Sequence, residues 1–330
     1  MLLYSRSEVV ETGANYPQGL VQLLPFKYFL AKPTYLVQDL RSRDSGTLQK
    51  ENFLPLFQLF VLAAIQGITE FLPISSTGHL VLVPKFTGWA DQGLVMDVAV
   101  HVGTLFAVLL YFWQDLAAMI GAFFRSFKQM SNRRPLEREF WLIWKLALAT
   151  IPVVIAGYLM NKYMGDVFRS LEVIGWTTFG FGLLLFVADK ISMTIRSIEH
   201  ITFVGAFIIG LFQILALIPG TSRAGITITA ARFQGVERQD AARFSLLLSI
   251  PVIAAAGTLK GLELYQSGNE ILLKEAFTAA AMSFAFALIA IALLMVWLKR
   301  ASFTPFVIYR MLLGAVLLSV AYKLPDIWPL

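Results

Sequence analysis

Hydrophobic and polar positions divide the chain unequally. Residues 1 to 52 are mixed and weakly periodic, whereas from Phe53 onward apolar runs recur to the C-terminus. A transmembrane helix needs about 20 predominantly apolar residues in succession. By that measure the sequence predicts full-length spans at 93 to 113, 142 to 160, 172 to 190, 240 to 262, 277 to 298 and 305 to 323. Two further apolar segments are interrupted. Residues 54 to 86 contain Pro55, Pro73, Gly78 and Pro84 around Ser75-Ser76-Thr77, and residues 203 to 233 contain Pro219-Gly220 followed by Thr221-Ser222-Arg223. Broken backbone at membrane depth is tolerated only where protein or a wet cavity satisfies its N–H and C=O groups. Both segments therefore read as re-entrant helical hairpins lining a site. The expected fold is all-α, a polytopic membrane protein with six transmembrane helices and two re-entrant hairpins.

Composition agrees. Hydrophobic residues make up 57% and charged residues only 15%, against about a quarter charged in soluble domains. The expected organisation is an N-terminal extension of unknown role over 1–52 and a membrane domain over 53–330. The extension has no basic, apolar and small-residue succession of a signal peptide, and its apolar stretch from Leu20 to Leu30 is interrupted by Pro25 and Lys27. The absence of cysteine excludes disulfides, thiolate zinc sites and cysteine nucleophiles.

The net charge of +6 would suggest a nucleic-acid partner in a soluble protein, but here the positive residues fall between apolar segments, so none is expected. The stretch from Gln114 to Glu139, read as a loop, holds Arg125, Lys128, Arg133, Arg134 and Arg138 and is placed in the cytoplasm. Lys190, Arg196 and Lys299-Arg300 then also fall on that side. The second hairpin enters from the cytoplasm and the first from outside. This arrangement predicts an inverted repeat with halves at about 53–190 and 201–323. Gln66-Gly67 precedes the break in one half and Gly210 to Gln213 in the other, a pattern that points to a site at the membrane midplane.

Two constellations carry candidate chemistry. The first runs from Gln66 through Glu70, Ser75, Ser76, Thr77 and Gly78 to His79. Gln66 and Glu70, four apart, project from one helix face and can share a ligand. An ionisable Glu70 in an apolar segment is costly unless paired, protonated or bound to a cation, so it is a site candidate by default. The serine and threonine hydroxyls, with backbone N–H groups of a Gly-relaxed turn, suit a phosphate, although such residues also serve as simple caps in membrane helices. His79 is a candidate general acid or base returning toward the same cavity. His101 reads as a helix contact and His200 as a loop residue, without assigned roles. The second constellation is Pro219-Gly220-Thr221-Ser222-Arg223-Ala224-Gly225-Ile226-Thr227. Arg223 there suits a phosphate clamp, because its planar fork donates two parallel hydrogen bonds and stays charged when buried. Its alternative is simple neutralisation of Glu70. No His-Glu-x-x-His helix, Walker loop or Gly-x-Ser-x-Gly elbow is present, and no histidine follows Arg223 as the phosphatidic-acid phosphatase signature needs.

From about Phe53 to Tyr322 the chain resembles the bacterial undecaprenyl-diphosphate phosphatases of the bacitracin-resistance type. The resemblance rests on the Glu/Gln-x-x-x-Glu motif at Gln66 and Glu70, the Pro-x-Ser-Ser-Thr-Gly-His run ending at His79, and the Pro-Gly-x-Ser-Arg-x-Gly run from Pro219 to Gly225. Ala224 stands where the family commonly has a second serine after the arginine. The resemblance implies hydrolysis of undecaprenyl diphosphate to the monophosphate and inorganic phosphate, assisted by a divalent cation, Mg or Ca, near Gln66 and Glu70. Glu70, Ser76, His79 and Arg223 are the implied catalytic set. Ser75, Thr77, Gly220, Thr221, Ser222 and Thr227 join Arg223 around the phosphates. Whether Ser76 attacks phosphorus with His79 as its base, or His79 activates water, stays open. The implied setting is the bacterial cytoplasmic membrane with the site facing outward. The implied partners are membrane lipids, the polyprenyl diphosphate, bacitracin competing by sequestering it, and a second copy in a homodimer. The rival reading is a transporter or flippase of a phosphorylated polyprenyl lipid, since inverted repeats with broken helices also build transporters.

Overall fold

The structure is a computed structural model that describes residues 55–89, 93–163, 170–193, 196–267 and 270–322. The expected N-terminal extension lies outside the described residues. Those described form eleven α-helices: α1 Leu56–Thr69, α2 Ser76–Thr87, α3 Gly93–Tyr111, α4 Trp113–Ser131, α5 Arg138–Tyr163, α6 Leu171–Ile191, α7 Phe203–Ile214, α8 Arg223–Phe233, α9 Arg238–Ser267, α10 Glu270–Trp297 and α11 Thr304–Ala321. Four stretches are long and apolar enough to cross a membrane, Arg138–Met160, Leu171–Ile191, Leu272–Trp297 and Thr304–Ala321; α3 and α4 meet that measure only when taken together, across a bend of 73°.

Two expectations are corrected in the first half. The predicted span at 93 to 113 ends at Tyr111, where the chain turns by 73°. The predicted loop from Gln114 to Glu139 is largely helix α4. Its apolar residues alternate with polar ones at helical spacing, so it lacks the continuous apolar run of a crossing helix yet carries an amphipathic period. The predicted span at 240 to 262 lies inside α9.

Both interrupted segments are helix–turn–helix units. Leu72-Pro73 closes α1, since the residue before a proline is driven out of the helical region. Leu215–Leu217 forms a 3₁₀ turn that ends α7 ahead of Pro219. The first helix of each unit packs on a helix of the other half: α1 lies on α10 and α7 on α5. Glycine makes both approaches close. A Cβ at Gly67 would meet the Ser283 carbonyl oxygen at 2.7 Å, and one at Gly210 would meet that of Ala149 at 2.5 Å. α11 packs on α6, and α8 is enclosed by α6, α7 and α9.

Candidate active site

The two turns repeat one local conformation. Ser75 (φ 74°) and Ser222 (φ 67°) both sit at positive φ, a region that costs a non-glycine residue energy and marks functional strain. Each is the N-cap of the helix that follows, its hydroxyl accepting from the backbone N–H three residues on, Gly78 at 3.3 Å and Gly225 at 3.1 Å. One constant offset carries Ser75 onto Ser222, Gly78 onto Gly225 and Gln66 onto Gln213, and both glutamines are fully buried. The first N–H groups of a helix lack intrahelical partners, and its positive dipole end favours anions. Two such ends, those of α2 and α8, meet one cavity of about 1030 Å³, lined by Ser75, Ser76, Thr77, Gly220, Ser222 and Arg223 among others.

Glu70 organises the centre. Its Oε2 accepts from Gln66 Nε2 at 2.8 Å and from Ser76 Oγ at 3.1 Å, and its Oε1 accepts from Arg223 at 3.0 Å. His101 Nε2 lies 3.5 Å from Oε2. Arg223 also donates to the Ser245 carbonyl at 3.3 Å and stacks over the Phe71 ring at 5.8 Å. The structure thus brings Gln66, Glu70, Ser76 and Arg223 into one bonded group.

The other sequence candidates are placed differently. His79 does not line the cavity; its Nδ1 contacts the Ser75 carbonyl at 2.7 Å and its Nε2 the Tyr309 hydroxyl at 2.6 Å. α2 begins at Ser76, so the cavity face falls on Thr77, Leu80, Val81 and Pro84 at helical spacing, and His79 emerges on the far side. Thr221 is fully buried behind the turn, and Thr227 bonds the Arg223 carbonyl at 2.9 Å and the Ser245 hydroxyl at 2.7 Å.

Several residues were missed. His101 and Asp97, four apart on α3, both face the cavity, as does Lys85; two polar side chains on one face of an apolar helix were the available signal. Arg310 is fully buried in α11, donating to the carbonyls of Thr178 at 3.0 Å, Gly220 at 3.2 Å and Thr221 at 2.9 Å and reaching that of Pro73 at 3.5 Å. It binds both turns, and a Cβ at Gly225 would meet its guanidinium at 2.6 Å. Its intramembrane charge was the signal for it.

Among the described residues no three His, Asp or Glu side chains gather as a metal cage. Magnesium, however, is commonly held by one or two carboxylates plus substrate phosphates. Gln66 Oε1 is a buried acceptor without a partner, directly beside the Glu70 carboxylate, and Asp97 lines the same cavity. This donor set fits a cation completed by phosphate oxygens.

A family model described as bacitracin resistance protein BacA matches residues 59–316. Undecaprenyl-diphosphatase 1 of Rhodospirillum rubrum is 50% identical over 281 residues, which cover 83% of this chain and 98% of that protein. The undecaprenyl-diphosphatases of Roseobacter denitrificans and Hahella chejuensis are 48% and 49% identical, covering 82% and 80% of this chain and 100% and 98% of their own length.

Proposed function

This chain belongs to the bacitracin resistance protein BacA family, and we propose that it hydrolyses undecaprenyl diphosphate to undecaprenyl phosphate and inorganic phosphate, recycling the lipid carrier of cell-wall synthesis. The contact of Ser76 Oγ with Glu70 Oε2, beside Arg223 and two helix N-termini, carries this reading. The terminal phosphate seats against the N-termini of α2 and α8. Arg223 turns its fork from Glu70 to the phosphate oxygens, which frees the carboxylate. Ser76 Oγ then attacks the terminal phosphorus and its proton passes to Glu70; the bond to the bridging oxygen breaks and undecaprenyl phosphate leaves with that oxygen. Water attacks the phosphoserine, Glu70 returns its proton to the departing Ser76 oxygen, and both of the water's protons leave on dihydrogen phosphate. His79 holds the Ser75 carbonyl from behind; water activation by His79 has less support, because both its ring nitrogens are engaged away from the cavity. Gln66 and Glu70 would hold the divalent cation, which supplies Lewis-acid polarisation of the phosphoryl oxygens when bound.

The proposed setting is the bacterial cytoplasmic membrane, with six crossings, two hairpins entering from opposite faces and inverted-repeat halves at about 53–190 and 201–323. The exchanged packing of α1 on α10 and α7 on α5, and the matching turns at Ser75 and Ser222, support it. The cavity reaches Lys85, Asp97, Ile174 and Gly257, near the helix ends opposite Lys190, Arg196 and Arg238. With positive residues inside, that cavity faces outward. Bacitracin, by sequestering the diphosphate, would compete for this substrate. The flippase reading shares the repeat, but no observation favours it over hydrolysis.

Quenching a reaction with radiolabelled terminal phosphate tests the proposal. Labelled phosphoserine at position 76 and chelator-sensitive phosphate release are expected. A Ser76→Ala enzyme retaining most activity would exclude serine attack, and well-folded protein releasing no phosphate would exclude the phosphatase.

A further inference from the structure

Helix α4 presents three faces. Met119, Ala122 and Ser126 are buried, and the helix packs on α5. Trp113, Ala117, Ile120, Phe124 and Phe127 recur at the spacing of one helical stripe and lie exposed, with Phe124 at 67% and Phe127 at 62%. Gln114, Ala118, Arg125 and Lys128 form an exposed third face. An aromatic stripe of this length is not left to water.

We propose that α4 is a membrane-surface helix, its aromatic stripe sunk into the headgroup boundary and its basic flank taking anionic lipid headgroups. The chain turns by 73° on leaving α3, and with α3 as one of the six proposed crossings this bend lays α4 near the bilayer plane. Burial on one side, apolar exposure on the second and polar exposure on the third match protein, lipid and water. Lys128, Arg133 and Arg134 are exposed, and none has an acidic partner among the described residues. Their charge complements an anionic surface, where each nearby cation contributes about 1 kcal/mol. Arg125 is otherwise engaged, with Glu137 at 2.6 Å. The second half continues as the single helix α9 after its hairpin, so the repeat itself does not require α4. The assignment is independent of the phosphatase chemistry.

The chain has no cysteine, so spin labels can be placed singly on the full protein in nanodiscs. Labels at Ile120→Cys and Phe124→Cys are expected to collide with oxygen and avoid a nickel chelate, as for a site about 5–10 Å below the headgroups. A label at Ala118→Cys should show the reverse. Equal chelate access at all three positions would overturn the proposal, as would label–label distances placing Phe124 against a second copy. Replacing phosphatidylglycerol by phosphatidylcholine should make the Phe124 label shallower. Lys128→Gln/Arg133→Gln/Arg134→Gln should abolish that lipid dependence; no dependence in the unmodified chain would overturn the anionic part. Phosphate release by each labelled protein controls for folding.

Discussion

A carboxylate at membrane depth survives when its lone pairs are used, and Glu70 spends them on Gln66, Ser76 and Arg223. Each partner is then a handle on the reaction. Removing the proposed proton acceptor by Glu70→Gln, or the proposed nucleophile by Ser76→Ala, should lower the rate of phosphate release by about 10²- to 10⁴-fold. Arg223→Lys keeps the charge but loses the fork; losing one charge-assisted hydrogen bond, about 1.5–3 kcal/mol, should cost roughly 10- to 100-fold in kcat/KM. Near-normal turnover in any of the three would remove that residue from the chemistry. The meeting of Gln66, Glu70, Ser76 and Arg223 in one bonded group was legible because their identity and local spacing sufficed. Arg310 was not, because its meaning lies in the carbonyls it meets in helix α6 and in both turns. Arg310→Met should strip the Thr221 carbonyl of its donor, at about 1–3 kcal/mol, and take one donor from each of the others. It should lower the unfolding temperature in detergent more than Arg223→Met does, since Arg223 is less buried.

At the level of elements, the two strained caps carry opposing effects. Positive φ at Ser222 costs about 1–3 kcal/mol and its cap bond restores about 1 kcal/mol. Ser222→Gly removes both and should change thermal stability little. Ser222→Val keeps the strain, adds a β-branched clash and loses the cap, and should destabilise by about 2 kcal/mol or more. A valine variant as stable as the glycine one would refute positive φ at this turn. The caps themselves could not be read from sequence, where a serine looks alike at φ of either sign. Helix α4 was hidden for another reason: a search for apolar runs discards an amphipathic period. Its C-terminal end is fastened by Glu137, which accepts from Arg125 at 2.6 and 2.8 Å and from Gln129 at 2.8 Å. The Arg125 hydrogen bonds hold the Glu137 carboxyl below its ordinary range. A lowered folded-state pKa means the fastening is complete above the ordinary value and is lost as pH falls through the folded one. A spin label at Met130→Cys should therefore stay ordered from neutral pH down to about pH 4 and loosen only below it. Mobility rising already near pH 6 would mean another group fastens the helix.

Across the whole molecule, the sequence disclosed where the helices break, but not that the first helix of each hairpin packs on the opposite half. Apolar segments look equally sticky along their length, and the close approaches at Gly67 and Gly210 favour these neighbours in a way that hydropathy does not record. That exchange has a consequence for assembly. A first half containing α1 to α6 keeps α5 without its partner α7, and leaves α1 without α10; the second half has the reciprocal defect. The bonded group at the candidate site is divided as well, with Glu70 and Ser76 on one half and Arg223 on the other. Produced separately, neither half should yield a monodisperse protein or release phosphate. Produced together as two chains parted between Met193 and Arg196, they should copurify and recover activity, because α11 on α6 and the two exchanged hairpins all cross the cut. Gly210→Leu, which drives a side chain into the Ala149 carbonyl, should weaken copurification more than a leucine at exposed Gly180, where a Cβ would meet nothing within 4 Å. A first half that folds alone, or a pair indifferent to Gly210→Leu, would show that the hairpins are held within their own halves.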